Sequence, residues 1–409
     1  MKTIKTNIIN PVSETKIDYI PNCFIKIENN KIKAIERNLS QQKIDYDYSE
    51  FICLPGLIDT HIHLSQYYCK GKHAPDLLQW LNQYIFPTEN KSKDAKFAKN
   101  ISEDFFKALL KAGTTTSIVY TAPFKNACNI AFQTAEMMGI RAIIGKTMMD
   151  TNSPDFLTEN SEKSLTESID LYETWNAKTE LLDYIFTPRF APVCSPGLMK
   201  DIGKFIKDNK AYMQTHLSEN LNEIKWVESL FPQSESYTHV YDKFDLITEK
   251  SIFGHCIHLK EKEMDLLRNK KAKIAHCPDS NFFLKSGRFP WKKMSEKGID
   301  FALATDVGAG TSVSMFHTMK MAIYMQNKAD ITPTSVFYRS TLGAAKTIAK
   351  NDKIGSIEKD KMADLIFLSL PEFKKKSGKE ILSELVYKGS ENEIYSTFIA
   401  GKQLYKSGF

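Results

Sequence analysis

The most constraining feature of this sequence is an apolar run that leads directly into two closely spaced histidines. Residues 51–54 predict a buried strand, and the stretch 55–67 that follows places His61 and His63 at positions i and i+2. On an extended backbone this spacing puts both imidazoles on the same face, with Ile62 on the other. At the carboxyl end of a strand the pair could bind a metal ion, or it could simply cap a core strand. Which of the two interpretations is right depends on whether other strands carry further metal ligands at their carboxyl ends.

The central part of the chain alternates strand-like and helix-like segments. Most of the strand-like segments are continuous apolar or β-branched runs, as in strands buried on both faces. Including the opening strand there are eight of them, the other seven at residues 114–120, 141–148, 182–191, 211–217, 251–257, 273–277 and 299–305. Helix-like segments such as 102–111 and 129–138 lie between them, the second ending at Gly139. Eight such repeats predict an α/β fold with a closed (β/α)8 TIM barrel. An open doubly wound sheet is the alternative, although no GxGxxG motif follows any strand.

Both ends of the chain favour β-structure. Four runs predict strands, the first two joined by the turn Asn29-Asn30: residues 23–28, 31–35, 363–368 and 394–399. Strands at one end cannot bury both of their faces alone, so we expect the two ends to combine. The predicted organisation is a small β-sandwich module from residues 1–54 and 355–409 together with a barrel domain at residues 55–354.

The carboxyl ends of barrel strands carry the sites of such enzymes, so the residues found there indicate the chemistry. After His61 and His63 on strand one, the later strand ends add His216 on strand five, His255 on strand six, His276 on strand seven and Asp306 on strand eight. A lone histidine at a strand end is usually structural, but this many at one rim predict a metal site. We expect one divalent ion with an open position for water, held by His61, His63, His216 and Asp306.

The expected ligand set also indicates which ion it binds. Imidazole and carboxylate ligands without a thiolate fit zinc, with iron as the less favoured ion. Zinc lowers the pKa of a bound water to about 7. We expect His255 beside that water rather than on the ion. Glu219, three residues after His216, could move a proton; the alternative is a surface carboxylate at the start of a helix predicted at residues 220–230.

The composition sets limits on location and partners. The net charge of +6 comes from 55 basic and 49 acidic residues spread along the chain, and the one dense basic cluster, residues 374–376, lies in a polar stretch. This pattern is typical of a solvated surface rather than a nucleic-acid site. Seven cysteines without a CxxC motif predict reduced thiols. The sequence shows no signal-peptide pattern and no apolar run of membrane-spanning length, so we expect a cytoplasmic protein without membrane or nucleic-acid partners.

Several motifs of the barrel region resemble a known family. They are residues 55–67 (PGLIDTHIHLSQY), 80–89 (WLNQYIFPTE), 187–190 (TPRF), 214–219 (QTHLSE), 276–281 (HCPDSN) and 305–312 (TDVGAGTS). Together they are similar to the amidohydrolase superfamily and, within it, to the guanine deaminases. The histidines and Asp306 are shared across the superfamily. The HLSQY, WL and RF elements narrow the resemblance to the guanine deaminases. Asp279 departs from the small polar residue often found in its motif, while Ser280 and Asn281 are retained.

The resemblance implies a zinc enzyme that hydrolyses guanine to xanthine and ammonia, and it favours a homodimer. In such an enzyme Glu219 would protonate the ring nitrogen N3 as water attacks C2, the carbon that carries the amino group. Asp306 would accept the proton of that water, and His255 would stabilise the new oxygen. A proton relayed to the amine would then let ammonia leave.

A purine pocket needs groups that match the polar edge and the flat faces of the ring. Gln66 offers a donor and an acceptor, and Arg189 offers a fixed fork of donors suited to the O6 carbonyl. The resemblance adds Phe190 and Trp80 against the ring, and the backbone of Leu81. By pattern alone Trp80 and Leu81 fit a helical core face, and Phe190 could fill the barrel wall.

Two other functions compete with this hypothesis. One is hydrolysis of a different aminated heterocycle or of a cyclic amide. Cyclic-amide hydrolases usually bridge two metals with a carboxylated lysine on strand four, and residues 184–190 contain no lysine. The other is a catalytically silent barrel, which would be expected to have lost ligands, whereas every expected ligand is present. The HxE and PCxxC motifs of the other zinc deaminase architecture do not occur.

Overall fold

A computed structural model describes residues 1–38, 43–326, 331–388 and 394–408. Within these ranges the strands are β1 (Lys2–Pro11), β2 (Ile17–Glu28), β3 (Lys31–Glu36), β4 (Tyr46–Pro55), β5 (Leu57–His63), β6 (Thr114–Thr121), β7 (Arg141–Met148), β8 (Leu182–Pro188), β9 (Tyr212–Leu217), β10 (Ser251–His255), β11 (Lys273–His276), β12 (Phe301–Leu303), β13 (Leu365–Leu368), β14 (Ile394–Ile399) and β15 (Lys402–Lys406).

The helices lie mostly between the strands of the central region. They are α1 (Leu77–Trp80), α2 (Phe86–Asn90), α3 (Ala95–Lys111), α4 (Lys125–Met138), α5 (Ser161–Trp175), α6 (Pro196–Asn209), α7 (Leu221–Leu230), α8 (Tyr237–Lys243), α9 (Glu261–Asn269), α10 (Pro278–Phe283), α11 (Trp291–Glu296), α12 (Met315–Tyr324), α13 (Pro333–Arg339), α14 (Leu342–Thr347) and α15 (Gly378–Lys388). A π-helical turn, Leu81–Ile85, connects α1 to α2. Local chemistry sets several boundaries: the Asp94 side chain accepts from the Phe97 amide at the start of α3, and Gly139 ends α4 with a φ of 73°.

Strands β5 to β12 form a parallel eight-stranded sheet in sequence order. The first and last strands meet, since the Asp306 amide donates to the His61 carbonyl at 2.9 Å and the His63 amide to the Val307 carbonyl at 2.6 Å. Inside the barrel, isoleucines from β5, β6, β7, β8 and β10 pack into one cluster: Ile58, Ile118, Ile143, Ile185 and Ile252. Branched side chains of this kind fill the interior of a TIM barrel. The predicted (β/α)8 barrel is therefore confirmed.

The remaining strands form a seven-stranded sheet contributed by both ends of the chain, in the order β15-β14-β13-β4-β1-β2-β3. Side chains from both halves of the sheet share one core, including Ile4, Ile25, Phe367 and Phe398. The predicted module from both termini is confirmed, and its strands form one continuous sheet with its own core. The domain boundaries at residues 54 and 355 stay a prediction.

The predicted strands and helices agree closely with the observed ones. The seven later barrel strands are present as predicted, although β12 covers only Phe301–Leu303 of the predicted 299–305. The apolar run 51–54, predicted as the opening barrel strand, instead belongs to β4 of the seven-stranded sheet, and the first barrel strand is β5, which contains His61 and His63. The predicted hairpin corresponds to β2 and β3, and the helix predicted at 220–230 is α7. All seven cysteines are buried free thiols. In the part of the chain that the structure describes, no helix has the length and apolar character needed to cross a bilayer.

Candidate active site

The carboxyl ends of β5, β9 and β12 bring the four predicted metal ligands together. Nε2 of His63 lies 3.1 Å from Nε2 of His61 and 3.3 Å from Nε2 of His216. Oδ1 of Asp306 lies 3.3 Å from Nε2 of His61 and 3.2 Å from Nε2 of His63. Ligand atoms this close together can all lie about 2.0–2.2 Å from one ion. The four residues therefore fit the predicted single metal ion.

The protonation states of these residues also suit a metal ion. Burial lowers the pKa of His63 to about 4 and that of His216 well below its usual value, so both imidazoles are neutral. Burial opposes ionisation of Asp306, but hydrogen bonds from His61 and His63 outweigh it and hold the pKa of that carboxyl well below its usual range. Neutral imidazoles and an ionised carboxylate are the forms that bind metals.

Hydrogen bonding orients His216 for the same task. Its Nδ1 lies 2.7 Å from the Arg189 carbonyl oxygen, which can only accept, so Nδ1 carries the proton. Nε2 is then left with a free lone pair facing His63. Donation from the second ring nitrogen to a carbonyl is a common way to fix a metal-binding histidine.

A second grouping of possible ligands, His61, His255, Cys277 and Asp306, also lies within 4.8 Å. Burial raises the pKa of the Cys277 thiol well above its usual value, and Sγ lies 3.6 Å from the Ala275 carbonyl oxygen as a donor. A cysteine binds zinc as its thiolate rather than as the neutral thiol. We therefore favour the set of three histidines and Asp306 without Cys277.

The backbone at the strand ends adopts an unusual conformation. Ser218, His255 and Asp306 have positive φ angles of 49°, 67° and 51°. Left-handed geometry is uncommon for residues other than glycine and is concentrated at functional sites. Gly254 provides space beside the cluster, because a Cβ there would lie 2.8 Å from Cε1 of His61.

Glu219 and His255 lie beside the four-residue cluster. Glu219 is only 3% exposed, so the surface alternative for this residue was wrong. Its Oε2 lies 3.5 Å from Nε2 of His255, and its Oε1 accepts from the Ser286 hydroxyl at 3.2 Å. Burial, with Asp306 nearby, raises the pKa of Glu219 to about 8. The carboxyl group is thus protonated at neutral pH and can act as a proton donor.

The pocket in front of the cluster has a volume of about 420 Å³, its mouth included. All five residues predicted to bind substrate line it: Gln66, Trp80, Leu81, Arg189 and Phe190. Trp80 and Phe190 were interpreted either as core residues or as pocket residues. The two interpretations are compatible, because each ring is buried and also borders the pocket.

Three residues not predicted from the sequence connect the site. Glu89, in α2, binds both Gln66 and Arg189, and Asn281, in α10, binds Nδ1 of His255 at 2.9 Å. A third is Glu223, whose Oε2 accepts from the Glu219 amide at 2.9 Å and whose Oε1 accepts from the Tyr237 hydroxyl. The only sequence signal was that Glu89 and Asn281 fall inside the family motifs.

Two further features lie near the pocket. The ring of His276 stacks on Phe289, and neither ring nitrogen has a hydrogen-bond partner among the described residues. The segment 308–312 passes close to the site, where Ala309 lines the pocket. At Gly310 a Cβ would lie 1.8 Å from the Thr305 carbonyl oxygen, so only glycine fits this passage.

Comparison with known proteins adds an independent line of information. The model of the amidohydrolase family matches residues 52–404. The guanine deaminase of Escherichia coli is 36% identical over 372 residues, which cover 88% of this chain and 84% of that protein. The crystal structure of guanine deaminase from C. acetobutylicum, with guanine bound in its active site, has a TM-score of 0.94 at 32% identity, covering 99% of this chain and 100% of that one. An adenosine deaminase from Xanthomonas campestris with bound zinc shares the fold, with a TM-score of 0.86 at 21% identity, covering 98% of this chain and 92% of that one.

Proposed function

The chain belongs to the amidohydrolase family, and we propose that it is a zinc-dependent enzyme that converts guanine to xanthine and ammonia. Its relatives make it a hydrolase that acts on carbon–nitrogen bonds in cyclic amidines. One observation carries the specific proposal. A single pocket contains a metal-ligand cluster, the protonated Glu219, and the purine-reading pair Gln66 and Arg189.

In the proposed reaction one water molecule replaces the amino group of guanine. The oxygen of water bonds to C2, the bond from C2 to the exocyclic nitrogen breaks, and the products are xanthine and ammonia. When bound by His61, His63, His216 and Asp306, a zinc ion would supply positive charge and an acidified water at neutral pH. The absence of a thiolate from this ligand set supports zinc, with iron as the less favoured ion.

Glu219 is proposed as the proton donor. Because burial keeps its carboxyl group protonated near pH 7, it can protonate N3 while water adds to C2. Asp306 is ionised and can accept the proton that the attacking water loses. His255, 3.5 Å from Glu219 and 3.8 Å from Asp306, is placed to stabilise the new oxygen. The proton on Asp306 can then pass to the departing amine, and the proton left on the new C2 hydroxyl returns to Glu219 as the carbonyl of xanthine forms.

Substrate binding is proposed to use the edge and both faces of the ring. Arg189 donates toward the O6 carbonyl, and Gln66 contacts a neighbouring ring nitrogen. Phe190 and Trp80 lie against the ring, and Leu81 adds backbone contact. This arrangement supports a flat polar heterocycle of purine size.

The test of this proposal is a substrate comparison with the purified, metal-loaded protein. Guanine, adenine and cytosine are incubated separately, and the products are separated by chromatography. We expect xanthine and ammonia from guanine and little product from the other two. A different preferred heterocycle would point to another hydrolase of the same family instead.

Two further properties belong to the same proposal. Seven buried free thiols support a cytoplasmic location, because reducing compartments preserve thiols. A homodimer is also proposed, since two-fold dimers are the commonest soluble assemblies. Light scattering after size-exclusion chromatography distinguishes a dimer from a monomer.

A further inference from the structure

Glu89 is a buried carboxylate at the point where the two proposed purine-reading residues meet. It is only 1% exposed. Oε1 accepts from Nε2 of Gln66 at 3.0 Å and from the Ser65 hydroxyl at 3.4 Å, while Oε2 accepts from Nη1 of Arg189 at 2.7 Å. Both carboxylate oxygens are therefore used, and both partners line the pocket.

The contact with Glu89 fixes the direction of the Gln66 amide. An ionised carboxylate only accepts hydrogen bonds, so the amide must turn its NH2 group toward Glu89. Its carbonyl oxygen is then the atom left for a ligand in the pocket. A glutamine without such a neighbour could present either end, because the two orientations have the same shape.

The same carboxylate holds the Arg189 side chain. A charge-assisted bond of 2.7 Å joins one guanidinium nitrogen to Glu89, and the Phe86 ring lies 5.2 Å from the guanidinium carbon. The other donors of the fork remain for the pocket. A ligand in the pocket therefore meets hydrogen-bond donors from Arg189 beside one hydrogen-bond acceptor from Gln66.

We propose that Glu89 is a positioning residue that selects ligands with a lactam edge, a ring carbonyl next to a ring N–H, by fixing the donor and acceptor directions of Arg189 and Gln66. The inference rests on the proposed function and deepens it. Guanine has such an edge at O6 and N1–H. Adenine presents the opposite pattern, an amino donor next to a ring acceptor, and would leave Gln66 and Arg189 mismatched.

The test measures binding of two probes that lack the amino group at C2. Hypoxanthine has the lactam edge and adenine the reversed edge, and their Kd values are measured by calorimetry on metal-loaded protein. In Glu89→Gln the new amide oxygen pairs with Arg189, so its NH2 group faces Gln66 and turns that amide around. We expect the preference for hypoxanthine over adenine to fall by at least about tenfold, as for a mismatched buried hydrogen bond.

A swapped variant separates hydrogen-bond direction from general damage. In Gln66→Glu/Glu89→Gln the carboxylate at position 66 accepts from the amide at position 89 and still turns an acceptor toward the pocket. We expect it to recover most of the hypoxanthine preference. The swapped variant also tests the proposal if Glu89→Gln alone does not fold. Glu103→Gln, on α3, is the control for loss of one carboxylate.

The outcomes are distinct. An unchanged preference in a folded Glu89→Gln, or a swapped variant that prefers adenine or neither probe, overturns the proposal. Guanine turnover is assayed separately. If the wild-type protein prefers hypoxanthine in a Glu89-dependent way but releases no ammonia from guanine, the proposed function fails and the role of Glu89 stands.

Discussion

Oδ1 of Asn281 lies 2.9 Å from Nδ1 of His255. Because an amide oxygen accepts, Nδ1 of His255 donates to Asn281, and Nε2 faces Glu219 and Asp306 at 3.5 and 3.8 Å. One residue of α10 therefore orients a side chain at the end of β10.

The first prediction concerns this pair. Asn281→Leu removes the acceptor, and we expect kcat for guanine to fall about 10- to 100-fold, in line with other residues that orient site histidines. Metal content should stay near that of wild type. Asn281→Asp keeps an acceptor for Nδ1 of His255 and should retain more activity than Asn281→Leu. Equal kcat for Asn281→Leu and wild type contradicts this assignment.

The second prediction concerns Arg189. Arg189→Ala should reduce guanine turnover strongly while metal content stays near stoichiometric, because its side chain contacts Glu89 and is proposed to bind substrate rather than the ion. It also leaves Glu89 buried without a cation, at a cost of about 3–5 kcal/mol in the free energy of unfolding. Arg189→Ala/Glu89→Gln should regain part of this stability but not the activity. Loss of the metal from Arg189→Ala would show instead that Arg189 is structural.

The third prediction concerns Glu219 and pH. The pKa of Glu219 is about 8 in the folded chain against an ordinary 4.5, so the unfolded chain loses this proton first as pH rises. The stability contributed by the protonated form is complete below pH 4.5 and declines until pH passes about 8. Glu219→Gln removes this dependence.

Thermal unfolding of the metal-free protein checks this at pH 5, 6.5 and 8. We expect the Tm of Glu219→Gln minus that of wild type to increase across the series. Glu103→Gln serves as the control and should show no such trend. A Tm difference that stays constant with pH would mean that Glu219 ionises normally.

The fourth prediction concerns the contact between the barrel and the seven-stranded sheet. Arg141, at the start of β7, donates through Nε and Nη2 to the Asp364 carboxylate at 3.0 and 3.2 Å, and both side chains are buried. Asp364→Ala leaves Arg141 unpaired and should lower the free energy of unfolding by about 3–5 kcal/mol. Urea denaturation measures it, with the exposed pair variant Lys107→Ala as the control. KM for guanine should not change, since neither residue lines the pocket.

Much of the fold was predictable because it depends on local patterns. Apolar runs predicted seven of the eight barrel strands, and the strand ends predicted the cluster of His61, His63, His216 and Asp306. Glu89 was not predictable in the same way. Its partner Arg189 is 100 residues away, and only the packing of α2 against the barrel brings them together. The same applies to Asn281, because no local pattern indicates which histidine a side chain will orient.

The burial of Glu219 is the other feature that could not be predicted from the sequence. From position alone, Glu219 was equally compatible with a solvated helix start, since a carboxylate is favourable there. Its burial, and hence its raised pKa, follows from segments distant in sequence, including Ser286 after α10. A pKa of this kind depends on the assembled pocket and cannot be obtained from spacing.

The proposed deamination of guanine with one bound metal ion is tested by following xanthine and ammonia formed from guanine. The metal content of the same sample is measured before chelation, after chelation and after zinc is restored. We predict equal amounts of both products, about one zinc per chain, loss of activity on chelation and recovery with zinc. Folded, zinc-loaded protein that forms no xanthine at high enzyme concentration would contradict it.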